Sequence, residues 1–259
     1  MTLLSRREIT GIAVAILVVL IINSSHKIKM LCDEKLFQLI LYTTLASVIL
    51  DWITWEIDGR RFTSAREMLV VTNGLYFISC VLIPYLWLLY VEYRLNDEEE
   101  IVKKRNRIYV ISMLIFAGLV IATSFTKWIF YIDDNNIYHR GSLYFVQICI
   151  SLIYLILASA LTLRTAKKTI QKSKKMEYYI FASFAITPIL GALLQVMFYG
   201  LQLVSIAIVF SELLIFINVQ NRQVSMDSLT KINNRGQLDR FLNVRVKIYQ
   251  KIKAFLCFC

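Results

Sequence analysis

Seven long apolar segments, separated by short polar ones, occupy most of the chain between Ile9 and Val219. They lie near residues 9–25, 36–56, 68–93, 108–126, 143–163, 178–199 and 201–219. Runs of about 18 or more such residues are typical of transmembrane helices, because a helix satisfies its own backbone hydrogen bonds in hydrocarbon. The pattern predicts an all-α, polytopic membrane protein with about seven transmembrane helices and a short cytoplasmic helical segment at its carboxyl end.

Composition and charge agree with a membrane protein rather than a nucleic-acid-binding one. The chain is 58% hydrophobic with a mean hydropathy of +0.60, whereas soluble domains are roughly 45–50% apolar. The net charge is +11, and most of the Lys and Arg residues lie between the apolar segments, where a cytoplasmic bias is expected. No nucleic-acid partner is predicted, and the lipid bilayer is the expected partner.

The distribution of basic residues predicts the orientation in a bacterial plasma membrane. With the carboxyl terminus in the cytoplasm, short cytoplasmic loops carry the larger share of Lys and Arg. Fourteen then lie inside: Lys27, Lys29, Lys35, Arg94, Lys103, Lys104, Arg105, Arg107, Arg164, Lys167, Lys168, Lys172, Lys174 and Lys175. Seven lie outside: Arg6, Arg7, Arg60, Arg61, Arg66, Lys127 and Arg140. The amino terminus is therefore predicted to be extracytoplasmic.

The first apolar segment has two interpretations. Arg6 and Arg7 before a short apolar run resemble the start of a signal peptide. No A-x-A cleavage site follows the run, which favours an uncleaved first helix. If this segment were removed, six spans would remain and both termini would be cytoplasmic.

Ionisable groups inside a span are costly and often functional, and Asp51 and Glu212 are the acidic candidates of this kind. Asp51 stands between apolar residues and the aromatic pair Trp52 and Trp55, which indicates a position near the outer interface. Glu212 lies about halfway along the last span. Either residue is a candidate ligand or proton sensor, and the alternative is an interhelical hydrogen bond that fixes helix packing.

The longest outward connection, residues 127–141, is the best candidate for contact with an extracytoplasmic ligand. Its chemistry-bearing residues are Asp133, Asp134, His139 and Arg140. The acidic pair does not continue into a calcium-loop pattern, which fails at Ile137. A purely structural loop at the membrane interface is the alternative.

Two other seven-helix functions are less consistent with the sequence. A retinal protein needs a Schiff-base lysine in its last span, and residues 201–219 contain none. A secondary transporter shows paired repeats with interrupted helices. Pro84 in the third span and Pro188 in the sixth predict bends, but the residues around them do not repeat, so transport remains a minor alternative.

A recognisable motif follows directly after the last span. The pattern D-x-L-T-x-(I/L)-x-N-R, carried by Asp227, Leu229, Thr230, Ile232, Asn234 and Arg235, resembles the opening of a GGDEF-type diguanylate cyclase domain. Lys231 and Gly236 replace residues that are usually Gly and Arg in that family. The segments 131–141 and 195–200 also resemble the membrane sensor regions of Clostridia-type cyclases.

The resemblance implies a membrane-controlled enzyme that joins two GTP molecules into cyclic di-GMP as a dimer with Mg²⁺. In that family a GG(D/E)EF hairpin binds the substrate, and carboxylates hold the metal. This chain contains no two adjacent glycines, and no Asp or Glu follows Asp239. No catalytic, cofactor-binding or metal-binding residue is therefore carried over. We expect this chain to be inactive, with Mg²⁺ and GTP belonging only to a full-length relative.

The sequence thus predicts two parts: a seven-helix sensory region over residues 1–222, and a linker with the start of a truncated GGDEF domain over residues 223–259. The predicted function is the membrane input module of a truncated diguanylate cyclase. A homodimer or a full-length cyclase is the expected protein partner, and the ligand is left open. The alternative is a seven-helix receptor or membrane-binding protein with no relationship to cyclases.

Overall fold

The computed structural model describes residues 3–25, 32–96, 99–197 and 203–225. The chain divides into two compact units, residues 1–213 and 214–259, and the second is described only as the carboxyl-terminal part of the last helix. The helices are α1 (Leu3–Ser25), α2 (Cys32–Ile57), α3 (Ala65–Leu95), α4 (Glu99–Thr126), α5 (Tyr144–Lys168), α6 (Lys172–Ser183), α7 (Ile186–Met197) and α8 (Leu203–Ser225).

The all-α membrane architecture is confirmed. Within the described ranges, six helical segments are long and apolar enough to cross a bilayer, and α6 and α7 together form one of them. The apolar part of α8, Leu203–Asn218, is shorter. Many large apolar side chains on the helices face outward, as expected where lipid replaces water, and Ile108, Leu114 and Ile121 of α4 are all more than 60% exposed.

Helix α3 is the most buried of the six membrane-spanning segments. It packs against α2, α4 and α5. The carboxyl-terminal half of α3 is almost continuously buried from Val81 to Glu92, apart from Leu82. Trp87, with no exposed surface, stacks on Phe184 with ring centroids 3.9 Å apart. Aromatic stacking therefore joins α3 to the segment between α6 and α7.

The two prolines have different effects on their helices. Pro84 lies inside α3, which continues for 31 residues. The sixth predicted span is instead divided into α6 and α7 by a turn just before Pro188. A proline lacks the N–H that would bond to the carbonyl four residues earlier. That carbonyl accepts a serine hydroxyl in both cases: Ser151 Oγ donates to Cys80 at 3.3 Å, and Ser211 Oγ donates to Phe184 at 3.0 Å.

The outward connection contains a β-hairpin, which the sequence analysis did not predict. Strands β1 (Phe130–Ile132) and β2 (Tyr138–Arg140) are antiparallel, with Tyr131 opposite His139. The segment joining them includes Asn136 at a positive φ of 60°, a conformation that Asn tolerates better than most residues. Strands of three residues are too short for an alternating pattern to be recognised.

The hairpin is attached to the loop between α2 and α3. Gly59 donates its N–H to the Asn136 carbonyl at 2.8 Å, and Tyr138 donates its N–H to Asp58 Oδ1 at 2.8 Å. On the side facing the helices, Phe130 is buried and stacks on Phe77 of α3. The hairpin is therefore a folded cap over one end of the helices, which we call the hairpin end.

Candidate functional site

Asp133 organises the turn of the hairpin. Its Oδ1 accepts the N–H groups of Asn135 at 2.8 Å and Ile137 at 2.9 Å. Its Oδ2 lies 3.0 Å from His139 Nε2. These backbone hydrogen bonds and the nearby imidazole lower the pKa of Asp133, because each favours the ionised carboxylate. The contacts indicate that Asp133 and His139 hold the hairpin together.

Asp134 and Arg140, the other two candidates in this connection, are more accessible. The Asp134 side chain is fully exposed and lies 3.6 Å from Arg66 in a surface ion pair, a type of contact that contributes little energy. The Arg140 guanidinium carbon lies 4.7 Å from the centre of the Tyr144 ring, a cation–π geometry. The four candidate residues therefore do not form one binding cluster, and Arg140 is directed to a different feature.

That feature is a cavity of about 300 Å³ between α2, α3, α5, α7 and α8, within the first unit. One face of α5 lines it over a long stretch. The residues on this face, spaced three or four apart as on one side of a helix, are Tyr144, Gln147, Ile148, Ser151, Leu152 and Leu155. Arg140 lines the cavity next to the start of α5.

Most of the polar groups in the cavity wall have partners within the protein. Ser151 donates to the Cys80 carbonyl. Thr44 Oγ1 donates to Glu212 Oε1 at 2.5 Å. The Cys80 thiol is hydrogen-bonded to Ser47 and Tyr76. The remaining lining is largely apolar side chains from all five helices, so the cavity suits an apolar ligand better than a highly hydrated one.

The two acidic candidates, Asp51 and Glu212, both lie beside this cavity. Glu212 has no exposed surface and contacts the cavity wall through Thr44. Its Oε2 is buried with no hydrogen-bond partner among the described residues. Asp51 is partly buried on α2 and interacts electrostatically with Tyr76 and Cys80 of the wall. Their roles as sensory residues stay a prediction.

Glu212 combines features of both interpretations considered for it. Its bond to Thr44 joins α8 to α2, which is a packing role. Its second oxygen is not satisfied within the described part of the chain, and a buried unpaired polar group is unfavourable. Glu212 therefore combines a packing contact with an unsatisfied oxygen.

The opposite end of the helices carries an ion-pair network that the sequence analysis missed. Arg94 of α3 lies 2.7 Å from Asp33 of α2 and 3.0 Å from Glu177 of α6. Two residues earlier, the fully buried Glu92 lies 2.6 Å from Arg105 of α4. We call this the Arg94 end. Arg94 and Arg105 had been interpreted only as topology signals, although Glu92 inside the third predicted span was a visible indication of a partner.

The structure does not describe every predicted site residue. The motif residues Asp227, Leu229, Thr230, Asn234 and Arg235 lie outside the described residues, as do the predicted cytoplasmic helical segment and residues 198–200. Among the residues that are described, no group of three or more His, Cys, Asp and Glu side chains is arranged to hold a metal ion.

Residues 9–225 match the family described as the N-terminal 7TM region of histidine kinase. No curated protein matches the chain. No solved structure matches it either.

Proposed function

The chain belongs to the family of N-terminal seven-transmembrane regions of histidine kinases, and from this premise we propose that it is the sensory input module of a diguanylate cyclase. The seven-helix sensory module is the family's architecture. The type of output is our proposal, because the family description refers to a kinase, whereas the motif after α8 resembles a cyclase domain. In the proposed domain organisation, residues 1–222 form the input and residues 223–259 begin the output.

The observation that supports a signalling role best is the position of α8. Its first turns line the cavity through Val204, Ser205 and Ile208, and Glu212 links it to the cavity wall. The same helix continues without interruption to Ser225, two residues before Asp227. A continuous helix transmits rotation or translation along its length, so a change in the cavity reaches the start of the output.

The cyclase output is supported by the sequence from Asp227 to Arg235 and by its position directly after the last span. We place the hairpin end outside the cell and the motif in the cytoplasm of a bacterium, where GTP is available. The basic residues near the Arg94 end support this orientation. Diguanylate cyclases act as dimers, so the proposed partner is a second copy or a full-length cyclase.

A kinase output is the second candidate, and the family description favours it. The genomic sequence immediately downstream of the Cys259 codon distinguishes the two. A reading frame that encodes a GGDEF hairpin supports the cyclase output. A frame that encodes a phosphoacceptor helix and a kinase ATP-binding domain contradicts it and supports the kinase.

A chimera tests the signalling role directly. An intact diguanylate cyclase domain is joined in register at Asp227, and cyclic di-GMP is measured in cells. Inserting three residues after Ser225 rotates the output by roughly 300° about the helix axis, whereas seven residues restore the phase to within about 20°. We expect the three-residue insertion to change the basal activity and the seven-residue insertion to restore it. Equal activity in all three chimeras would contradict transmission through α8.

A further inference from the structure

The cavity beside α5 has the properties of a ligand site. Its volume of about 300 Å³ lies at the lower limit of the roughly 300–1,000 Å³ that is usual for small-molecule pockets. It extends along α5 from Tyr144 to Leu155, which corresponds to about 16 Å at the rise of an α-helix. A narrow, elongated space of this kind fits an extended chain better than a compact ring system.

The chemistry of the wall restricts the body of the ligand. The Ser151 and Thr44 hydroxyls are engaged with Cys80 and Glu212. Apolar side chains such as Ile83, Leu155 and Ile189 form most of the remaining surface. A ligand with many polar groups would lose hydration there without gaining equivalent hydrogen bonds, so the body of the ligand is apolar.

Arg140 restricts the charge of the ligand's head group. Among the residues that line the cavity, all of them in the described part of the chain, Arg140 is the charged one. Its guanidinium lies over the Tyr144 ring, and the ion pairs formed among the described residues do not include it. A carboxylate at the mouth of the cavity would complete a charge-assisted contact with this group.

We propose that the cavity binds an amphipathic anion, a medium-length aliphatic carboxylate whose head group contacts Arg140 and whose chain lies along α5 toward Leu155. The claim that this ligand is the stimulus of the sensor rests on the proposed function. The claim that the cavity binds the ligand does not. The ligand would contact α8 at Val204 and Ile208, so its presence would change the packing of the helix that leads to the output.

Direct binding of radiolabelled decanoate tests the site with the full chain in phosphatidylcholine nanodiscs, and empty nanodiscs correct for partition into lipid. We expect saturable binding to the protein. Arg140→Gln should weaken it roughly tenfold or more, because a hydrogen bond between charged groups is lost. Arg66→Gln is the matched control, since it removes a basic residue at the same end that does not line the cavity.

A second pair of variants tests the body of the site. Ala192→Phe fills the cavity from α7 and should abolish binding, whereas Leu193→Phe adds a ring on an exposed position of the same helix and should not. Should Ala192→Phe fail to fold, modification of the Cys80 thiol of the wild type by N-ethylmaleimide gives an independent measurement. Cysteine-to-serine changes at positions 32, 149, 257 and 259 isolate this thiol, and decanoate should slow its modification.

The results that would overturn the proposal are defined by the same probes. Absence of saturable decanoate binding, equal binding of decyltrimethylammonium with no effect of Arg140→Gln, or unchanged Cys80 modification would each contradict it. A chimera that binds decanoate without a change in cyclic di-GMP would contradict the sensory function and leave the binding site established. The two proposals therefore fail by different observations.

Discussion

Asp133 is a residue whose ionisation affects local structure. Its carboxylate accepts two backbone N–H groups and contacts His139, and its pKa is lowered. Asp133 therefore stabilises the hairpin fully at pH values above the ordinary carboxyl pKa near ~4. This stabilisation is lost as the pH falls through the lower pKa that Asp133 has in the folded state. Burial raises the pKa of Asp58, so its contribution has the opposite sign and favours the folded form at low pH.

We predict that acidification below pH ~4 increases hydrogen–deuterium exchange in a peptide covering residues 128–142, after correction for the intrinsic rate. Asp133→Ala should raise exchange above pH ~4, because both N–H groups lose their acceptor, and the difference from the wild type should shrink at lower pH. Asp133→Asn retains one acceptor oxygen and should mainly flatten the pH dependence. Asp134→Asn, at a fully exposed side chain, is the control and should leave exchange unchanged. Identical profiles for Asp133→Ala and the wild type would exclude this role.

At the scale of residues, the sequence identifies positions that are unusual within a membrane span but does not identify their partners. Pro84 and Pro188 are unusual as prolines inside predicted spans, and Asp51 and Glu212 as acidic residues there. The serines that satisfy the carbonyls freed by the two prolines lie on other helices, and Glu212 bonds to Thr44 from far along the chain. Such pairs depend on tertiary packing, which no local pattern encodes.

At the scale of elements, α7 and α8 approach closely at Gly191. A Cβ at this position would lie 2.8 Å from Ala207 Cβ and 2.9 Å from the Leu203 carbonyl oxygen. Both distances are shorter than normal contacts, so the small residue is what allows the two helices to pack at this distance. Gly118 in α4 differs, since a Cβ there meets nothing within 4 Å.

We therefore predict opposite effects for two identical substitutions. Gly191→Ala should destabilise the protein by roughly 1–3 kcal/mol, because it forces α7 and α8 apart. Gly118→Ala should be neutral or stabilise it by up to ~1 kcal/mol through helix propensity. Thermal unfolding in detergent measures both. A Gly191→Ala variant as stable as the wild type would show that α7 and α8 are not closely packed.

The elements themselves were predicted with uneven success. The seven apolar segments correspond to helices because length and hydrophobicity determine what is stable in a bilayer. The division between α6 and α7 was predicted only as a bend, and the hairpin was missed because its strands are very short. Its position depends on Asp58 and Gly59, which the sequence did not connect to Asn136.

At the scale of the molecule, the two ends of the first unit are held by different contacts. At the hairpin end, Arg7 of α1 and Arg60 both pair with Glu56 of α2 at 2.7 Å. At the other end, Arg94 joins three helices.

Arg94→Gln would remove the partner that Asp33 and Glu177 share. We predict that the free energy of unfolding falls by roughly 1–3 kcal/mol in the same unfolding assay. Arg107→Gln, an exposed neighbour, is the control, and equal stability of the two variants would contradict the role of the network.

The proposed orientation is a prediction for the whole molecule. In a cysteine-free background, Asp134→Cys should react with an impermeant maleimide in intact cells, because the proposed orientation places the hairpin outside. Lys104→Cys, exposed near the Arg94 end, should react only after the membrane is permeabilised. The reverse pattern would place the carboxyl-terminal motif outside and exclude a cytoplasmic output. The basic-residue bias is the sequence signal on which this orientation is predicted, whereas the cavity emerges only when five helices are brought together.

The hairpin carries Arg140 to the mouth of the cavity, but it is attached to the loop between α2 and α3 rather than to α8. In the proposed sensor, substitutions in this short segment would change which molecule is recognised while the transmitting helix keeps its sequence. Such a separation would let descendants of one ancestral receptor acquire new chemical preferences without re-evolving their means of reporting them.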